Sequence, residues 1–212
     1  MKYTGRIILV LISLFSSFVE YLLNIDINKS EVFIDLVFAS MAWFFGGFYD
    51  KAKFLSENDP LTLISNRRYV DTVVSRTFAK ACKNEEKLSV FLLDVNDFKL
   101  LNDKFGHLEG DNILKTIAEG LRKKSRKADV VARWGGDEFL MITSYMDNEE
   151  TEKFTQRMAQ TVYHRMEEGG NLMDIRIRLS IGYAIFPEEA KTLDELLSIA
   201  DKRMYEMKTL KG

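Results

Sequence analysis

Two long apolar stretches set the first limit on what this chain can become. Residues 7–23 (IILVLISLFSSFVEYLL) and 32–48 (VFIDLVFASMAWFFGGF) are almost unbroken runs of apolar side chains. Each just reaches the roughly 17 to 25 residues that a helix needs to cross a bilayer. Only NIDINKSE separates them, so the pattern predicts a membrane anchor of two transmembrane helices over residues 1–52 and a second domain over 57–212. A cleaved signal peptide is the alternative for the first run, since Lys2 and Arg6 precede it. No small-x-small cleavage site follows, and the second run favours the anchor. Lys2 and Arg6 before the first span, with Lys51 and Lys53 after the second, put both termini in the cytoplasm by the positive-inside rule. The expectation is a multi-pass protein of the cytoplasmic (inner) membrane, in contact with lipid, whose second domain lies in the cytoplasm. Glu20 and Asp35 fall towards the outer ends of the spans, where snorkelling to water keeps their cost small. The connecting loop is too short for an extracellular sensor domain.

The remainder reads as soluble protein. A formal net charge of -2 argues against a general binder of nucleic acid polymer, although RKKSRK at 122–127 is locally basic. Cys82 is the single cysteine, so no internal disulfide forms, and nothing near it suggests a metal cluster or a nucleophile. Asp59-Pro60 marks a turn at the start of this domain. Hydrophobic periodicity then predicts a helix over 65–83, a buried strand over 87–95 and a helix over 111–125. Strands follow at 129–134 and 138–144, then a helix over 148–167, a strand over 175–185 and a helix over 193–207. The order β-α-β-β-α-β is that of an α+β, ferredoxin-like fold with a central antiparallel sheet and extra helices.

The chemistry concentrates at two places. In DVVARWGGDEFLMIT, two strand-like runs flank a Gly-Gly pair and two adjacent acids, Asp137 and Glu138. Alone, this is a hairpin turn with solvated acids beyond it. Asp94 ends the buried strand 87–95, and a polar stretch with Asp97, Lys99, Asn102, Asp103, His107 and Asp111 follows. Polar groups at strand ends can converge without entering the core. If the hairpin lies beside that strand, Asp94 and Asp137 meet with no cation between them. Hard oxygens with open water positions then suit Mg²⁺ carrying substrate phosphates.

At this point the motifs resemble a known family. GGDEF at 135–139, DPLT and NRR at the entry, DVNDFKLLND, FGHLEGD, LSIGYA and ADKRMYEMK occur in family order over about three quarters of the chain. The region is identified as a member of the GGDEF domains, the diguanylate cyclases that make cyclic di-GMP from two GTP. The resemblance implies that Asp94 and Asp137 ligate Mg²⁺ (or Mn²⁺) through side chains and Val95 through its carbonyl. It implies that Glu138 assists catalysis or a second metal, and that Lys99 and Lys208 neutralise triphosphate charge. Asn102 and Asp111 would read the guanine edge, to which an amide and a carboxylate offer complementary donors and acceptors. His107 is near enough in sequence to line the same pocket; a packed or exposed histidine is the competing reading.

Each such domain holds one GTP, so the family's reaction requires a homodimer. Arg126 and Asp129 match the RxxD inhibitory site, where the cyclic product binds, and arginine suits phosphate pairing and guanine stacking. A plain i,i+3 ion pair is the bland alternative, and Lys123, Lys124 and Lys127 could instead meet an anionic leaflet. Two departures stand out. Leu63 occupies a position where the family commonly has glycine, and KTLKG stands where the family usually has a Gly-Arg-Asn segment after the last helix, with Lys211 the candidate to take over the phosphate contact. The second departure keeps another reading open, a catalytically silent membrane module that binds GTP or cyclic di-GMP.

Overall fold

The computed structural model describes residues 3–23, 29–146, 148–159, 162–168 and 171–209. The chain divides into two compact units, Met1–Glu57 and Asn58–Gly212. In the first, helices α1 (Thr4–Leu22) and α2 (Lys29–Glu57) pack together. Their seam is tight where glycines remove side chains: a Cβ on Gly46 would lie 2.5 Å from Arg6 Cα. The Gly5 backbone N–H donates to Asp50 Oδ1 at 2.7 Å, so an acid on α2 satisfies an otherwise orphaned donor at the start of α1. Elsewhere the hairpin leaves large apolar side chains exposed, among them Leu11 and Phe15 on α1 and Phe33 and Phe44 on α2. Among the described residues, one helical segment, Ser30–Glu57, is long and apolar enough to cross a membrane. The first expected span forms a helix, α1.

The second unit is built on a five-stranded sheet of order β1-β3-β4-β2-β7. Its strands are β1 (Ser65–Asn66), β2 (Leu88–Val95), β3 (Val130–Arg133), β4 (Glu138–Ser144) and β7 (Leu179–Phe186). Central β2 is antiparallel to both β4 and β7. The expected antiparallel sheet is therefore present, but β1 pairs parallel with β3 and makes the whole sheet mixed.

Alternation along β2 assigns its two faces. Phe91, Leu93 and Val95 pack with Ile113, Leu114 and Ile117 of α5 (His107–Lys124). Val90 on the other face shares a core with Val70 and Phe78 of α3 (Arg67–Lys83) and Leu196 of α7 (Leu193–Thr209), while Leu92 packs on Ala200 and Met204 of α7. Burial on both faces explains why the strand reads as one apolar run.

Three expectations need correction. Ser65 and Asn66 are not helical: they form β1, and the Asn66 side chain accepts from Tyr69 N–H at 2.9 Å to cap α3. Helix α4 (Phe98–Phe105) occupies the polar stretch between the expected strand and helix, to which no element was assigned. Asp97 at φ 57° and Gly106 at φ 86° bracket it, so its short apolar pattern is cut off on both sides. The helix expected to reach residue 167 is α6 (Asn148–Ala159), and β5 (Val162–Glu168) then pairs antiparallel with β6 (Asn171–Ile177). The expected strand over 175–185 is thereby divided between β6 and β7. Lys211 lies outside the described residues.

Candidate active site

The site begins where β2 stops being apolar. Asp94 is paired across the sheet with Glu138 on β4 and with Ser180 on β7, so the three side chains stand on the same face. Two residues earlier, Leu92 is opposite Gly182, where a Cβ would lie 1.8 Å from the Ala200 carbonyl oxygen of α7. The missing side chain lets α7 press onto the sheet. Its far end then reaches the strand end, and Lys208 Nζ lies 2.6 Å from Asp94 Oδ1. This is a charge contact with poor hydrogen-bond angles; no oriented donor from a described residue reaches that buried oxygen.

The glycine turn supplies the remaining acids. Glu138 O accepts from Trp134 N–H at 2.8 Å, and Val95 N–H donates to Asp137 O at 3.2 Å, which ties the turn to the end of β2. A Cβ on Gly135 would sit 2.5 Å from Glu138 Oε2, so the bare backbone makes room for that carboxylate. Nothing comes within 4 Å of a Cβ placed on Gly136.

Burial, first of all, raises the Asp94 carboxyl above its ordinary range; Lys208 opposes this, and the charges of Asp137 and Asp201 add to it. Burial likewise raises Glu138, reinforced by Asp94, Asp137 and Asp201. Four carboxylates thus interact at one end of the sheet, and Lys208 is the cation acting on both central ones.

Arg133, on β3, holds the turn from behind. Its Nη2 and Nε donate to Gly136 O at 2.7 and 3.1 Å, while Nη1 lies 3.2 Å from both oxygens of Asp59. Asp59 Oδ1 also accepts from the backbone and hydroxyl of Thr62, at 2.8 and 2.7 Å. Burial alone would raise Asp59, but these bonds and the guanidinium outweigh it and hold the carboxyl below its ordinary value.

A second group gathers at the α4–α5 corner. Asn102 Oδ1 is buried without a hydrogen-bond partner among the described residues, and it fills the space a Cβ on Gly110 would need, at 1.8 Å. Half-buried Asp111 is the next residue along α5. Lys99 and His107 are both exposed.

Residues 56–212 match the family model described as diguanylate cyclase, GGDEF domain. The chain belongs to the GGDEF family. It is 35% identical over 147 residues to the diguanylate cyclase DosC of Escherichia coli K12, covering 69% of this chain and 32% of DosC. Against the diguanylate cyclase TpbB of Pseudomonas aeruginosa PA14 it is 35% identical over 153 residues, covering 71% of this chain and 34% of TpbB. The chain thus spans about a third of these curated relatives. Among solved structures, it resembles the GGDEF domain of P. aeruginosa TpbB, with a TM-score of 0.66 and 33% identity over 72% of this chain and 89% of that one. The GGDEF domain of Caulobacter crescentus DgcB, in complex with c-di-GMP, gives a TM-score of 0.64 and 25% identity over 72% and 88%.

Within this GGDEF domain, Asp94, Asp137, Glu138 and Lys208 come together, and Asn102 and Asp111 share the other corner. Arg126 and Asp129 close the turn before β3, though not as an ion pair: Arg126 N–H donates to Asp129 Oδ2 at 2.7 Å. The Arg126 side chain is exposed and has no side-chain partner among the described residues. Sequence reasoning missed two residues. Asp201 stands seven positions before Lys208, two helical turns on the same face, a spacing visible in ADKRMYEMK. Arg133 has no comparable signal, since its partners are set by tertiary contact.

Proposed function

We propose that this chain is a membrane-anchored diguanylate cyclase in which two copies, facing each other, condense two GTP into cyclic di-GMP and two pyrophosphates. The observation that carries this reading is the convergence of Asp94, Asp137 and Glu138 at one strand end, half-buried and calling for a cation. A divalent metal, Mg²⁺ or Mn²⁺, fits the donor set: hard carboxylate oxygens, one of them buried and lacking an oriented donor. Asp94 and Asp137, with the Val95 carbonyl, would hold it. No group of three His, Cys or acidic side chains is preassembled for a metal among the described residues. When bound, the metal supplies Lewis acidity at the ribose hydroxyl and at the phosphoryl oxygens.

The chain's own residues position the reactants. Asn102 Oδ1 is a buried acceptor awaiting a donor, which the amino group and N1–H of guanine provide, and Asp111 adds a second acceptor. Exposed His107 lines the same pocket, and Lys99 and Lys208 face the triphosphate. The 3′-hydroxyl of one GTP attacks the α-phosphorus of the other, and pyrophosphate leaves; the reciprocal attack closes the ring. Glu138, its carboxyl raised by burial, is suited to take the hydroxyl proton. Each site contributes one nucleotide, so a lone copy is inactive.

Product inhibition is part of the same proposal. The exposed Arg126 guanidinium is available to phosphate and guanine, and a relative's GGDEF domain is known bound to the cyclic product. The exposed apolar faces of α1 and α2 require a nonaqueous cover, which a bilayer provides, with the GGDEF domain in the cytoplasm.

A silent binding module is the second reading, favoured by the engagement of Lys208 with Asp94 rather than with solvent. Paired variants separate the two. Asp137→Ala is expected to abolish turnover while retaining cyclic di-GMP binding; Arg126→Ala should retain turnover and lose inhibition by product. Equal nucleotide turnover by Asp137→Ala and the unaltered protein would defeat the cyclase reading.

A further inference from the structure

The ammonium of Lys208 occupies the place where a metal's charge would act. It lies 2.6 Å from Asp94 Oδ1, an oxygen otherwise without an oriented donor, at the edge of a cluster completed by Asp137, Glu138 and Asp201. The Asp94 side chain is 14% exposed and that of Lys208 38%, so the acid is fixed in the sheet while the lysine can leave toward water. The anchoring differs as well. Asp94 is held in the ladder between β4 and β7, whereas Lys208 sits in the last turn of α7 on a long flexible stem.

We propose that Lys208 is a displaceable internal counter-ion of the metal site: before substrate arrives it neutralises Asp94, and a triphosphate draws it away as metal takes its place. This rests on the cyclase reading of the site and adds an order of events to it. A divalent cation arriving alone must compete with a tethered ammonium for Asp94. Arriving with a nucleotide, it does not, because the phosphates offer Lys208 a second anion. Metal and nucleotide then bind with positive coupling, and linkage makes the coupling reciprocal. The device keeps the acid cluster from standing uncompensated without a preformed metal site.

The test is Mn²⁺ binding to the full chain in detergent, followed by the loss of the free-ion paramagnetic resonance signal. It is run with and without a GTP analogue carrying a methylene between the α- and β-phosphorus, which cannot release pyrophosphate. The unaltered protein should bind Mn²⁺ weakly alone and about tenfold more tightly with the analogue. Lys208→Met should bind Mn²⁺ alone about tenfold more tightly than the unaltered protein, and gain little from the analogue. Lys208→Arg, which keeps the charge, should behave as the unaltered protein does, and matching thermal melts establish that the variants are folded. Mn²⁺ binding that Asp94→Asn abolishes but Lys208→Met leaves unchanged or weaker would overturn the counter-ion and leave the metal site standing. No Mn²⁺ binding by any variant, with or without the analogue, would overturn both.

Discussion

Leu63 shows how a single residue can carry a cost that the sequence hinted at and the backbone explains. Its φ of 59° lies in the left-handed region, and its side chain is 53% exposed, so little packing offsets the strain. The family's habit of glycine at this position is thereby rationalised. Leu63→Gly is expected to raise stability by about 1 kcal/mol in chemical denaturation, leaving turnover unchanged.

Arg133 makes the opposite case, since it links the entry turn at Asp59 to the Gly136 carbonyl and both partners of the ion pair are largely buried. Arg133→Ala should cost about 3 kcal/mol by leaving Asp59 unpaired, and should reduce kcat because the acid-bearing turn loses its rear support. Unfolding curves and steady-state rates on one preparation test both effects. Asp94, Asp137 and Glu138 stand out in the sequence because they end or border apolar runs, whereas Asp201 does not. Arg133 was not legible, because its partner lies 74 positions away and no local pattern announces it.

Among the elements, α7 joins the fold to the site. Its approach to β7 depends on Gly182, where a Cβ would meet the Ala200 carbonyl oxygen at 1.8 Å, a backbone obstacle that no rotamer change relieves. Gly182→Ala should therefore destabilise the domain by about 3 kcal/mol and move Lys208 off Asp94, seen as a lowered melting temperature and lost turnover.

The same helix is clamped by Arg203, whose Nη2 lies 2.6 Å from Glu189 Oε1. That hydrogen bond, chiefly, lowers the Glu189 carboxyl below 4.5. A depressed folded-state value means that its contribution to stability is complete above about pH 4.5 and is lost as pH falls through that value toward the folded one. Glu189→Gln should lose less stability than the unaltered protein between about pH 6 and pH 3, measured by denaturant unfolding at each pH.

Periodicity located α5, α7 and the central strands because each has one dominant apolar stripe or a buried run. It misplaced β5, where Val162 and Met166 continue the helical spacing of α6 although EEGGN carries a two-residue hairpin signal. Tertiary pairing with β6 overrides the local pattern there.

At the scale of the whole molecule, the two-part organisation was written in hydropathy, since apolar runs and a patterned domain cannot share one core. Partner and stoichiometry are less legible, because a surface that would face a second copy leaves no periodicity in the sequence of one. If two sites must meet, specific activity should rise with protein concentration and level off where sedimentation shows a complete dimer.

Nucleotide turnover by the detergent-solubilised full chain with GTP and Mg²⁺, its products resolved by chromatography beside those of Asp137→Ala, decides whether this protein is a cyclase. Cyclic di-GMP with two pyrophosphates per molecule, formed only by the unaltered protein, is the predicted result. A folded, dimeric preparation that leaves GTP intact would contradict it.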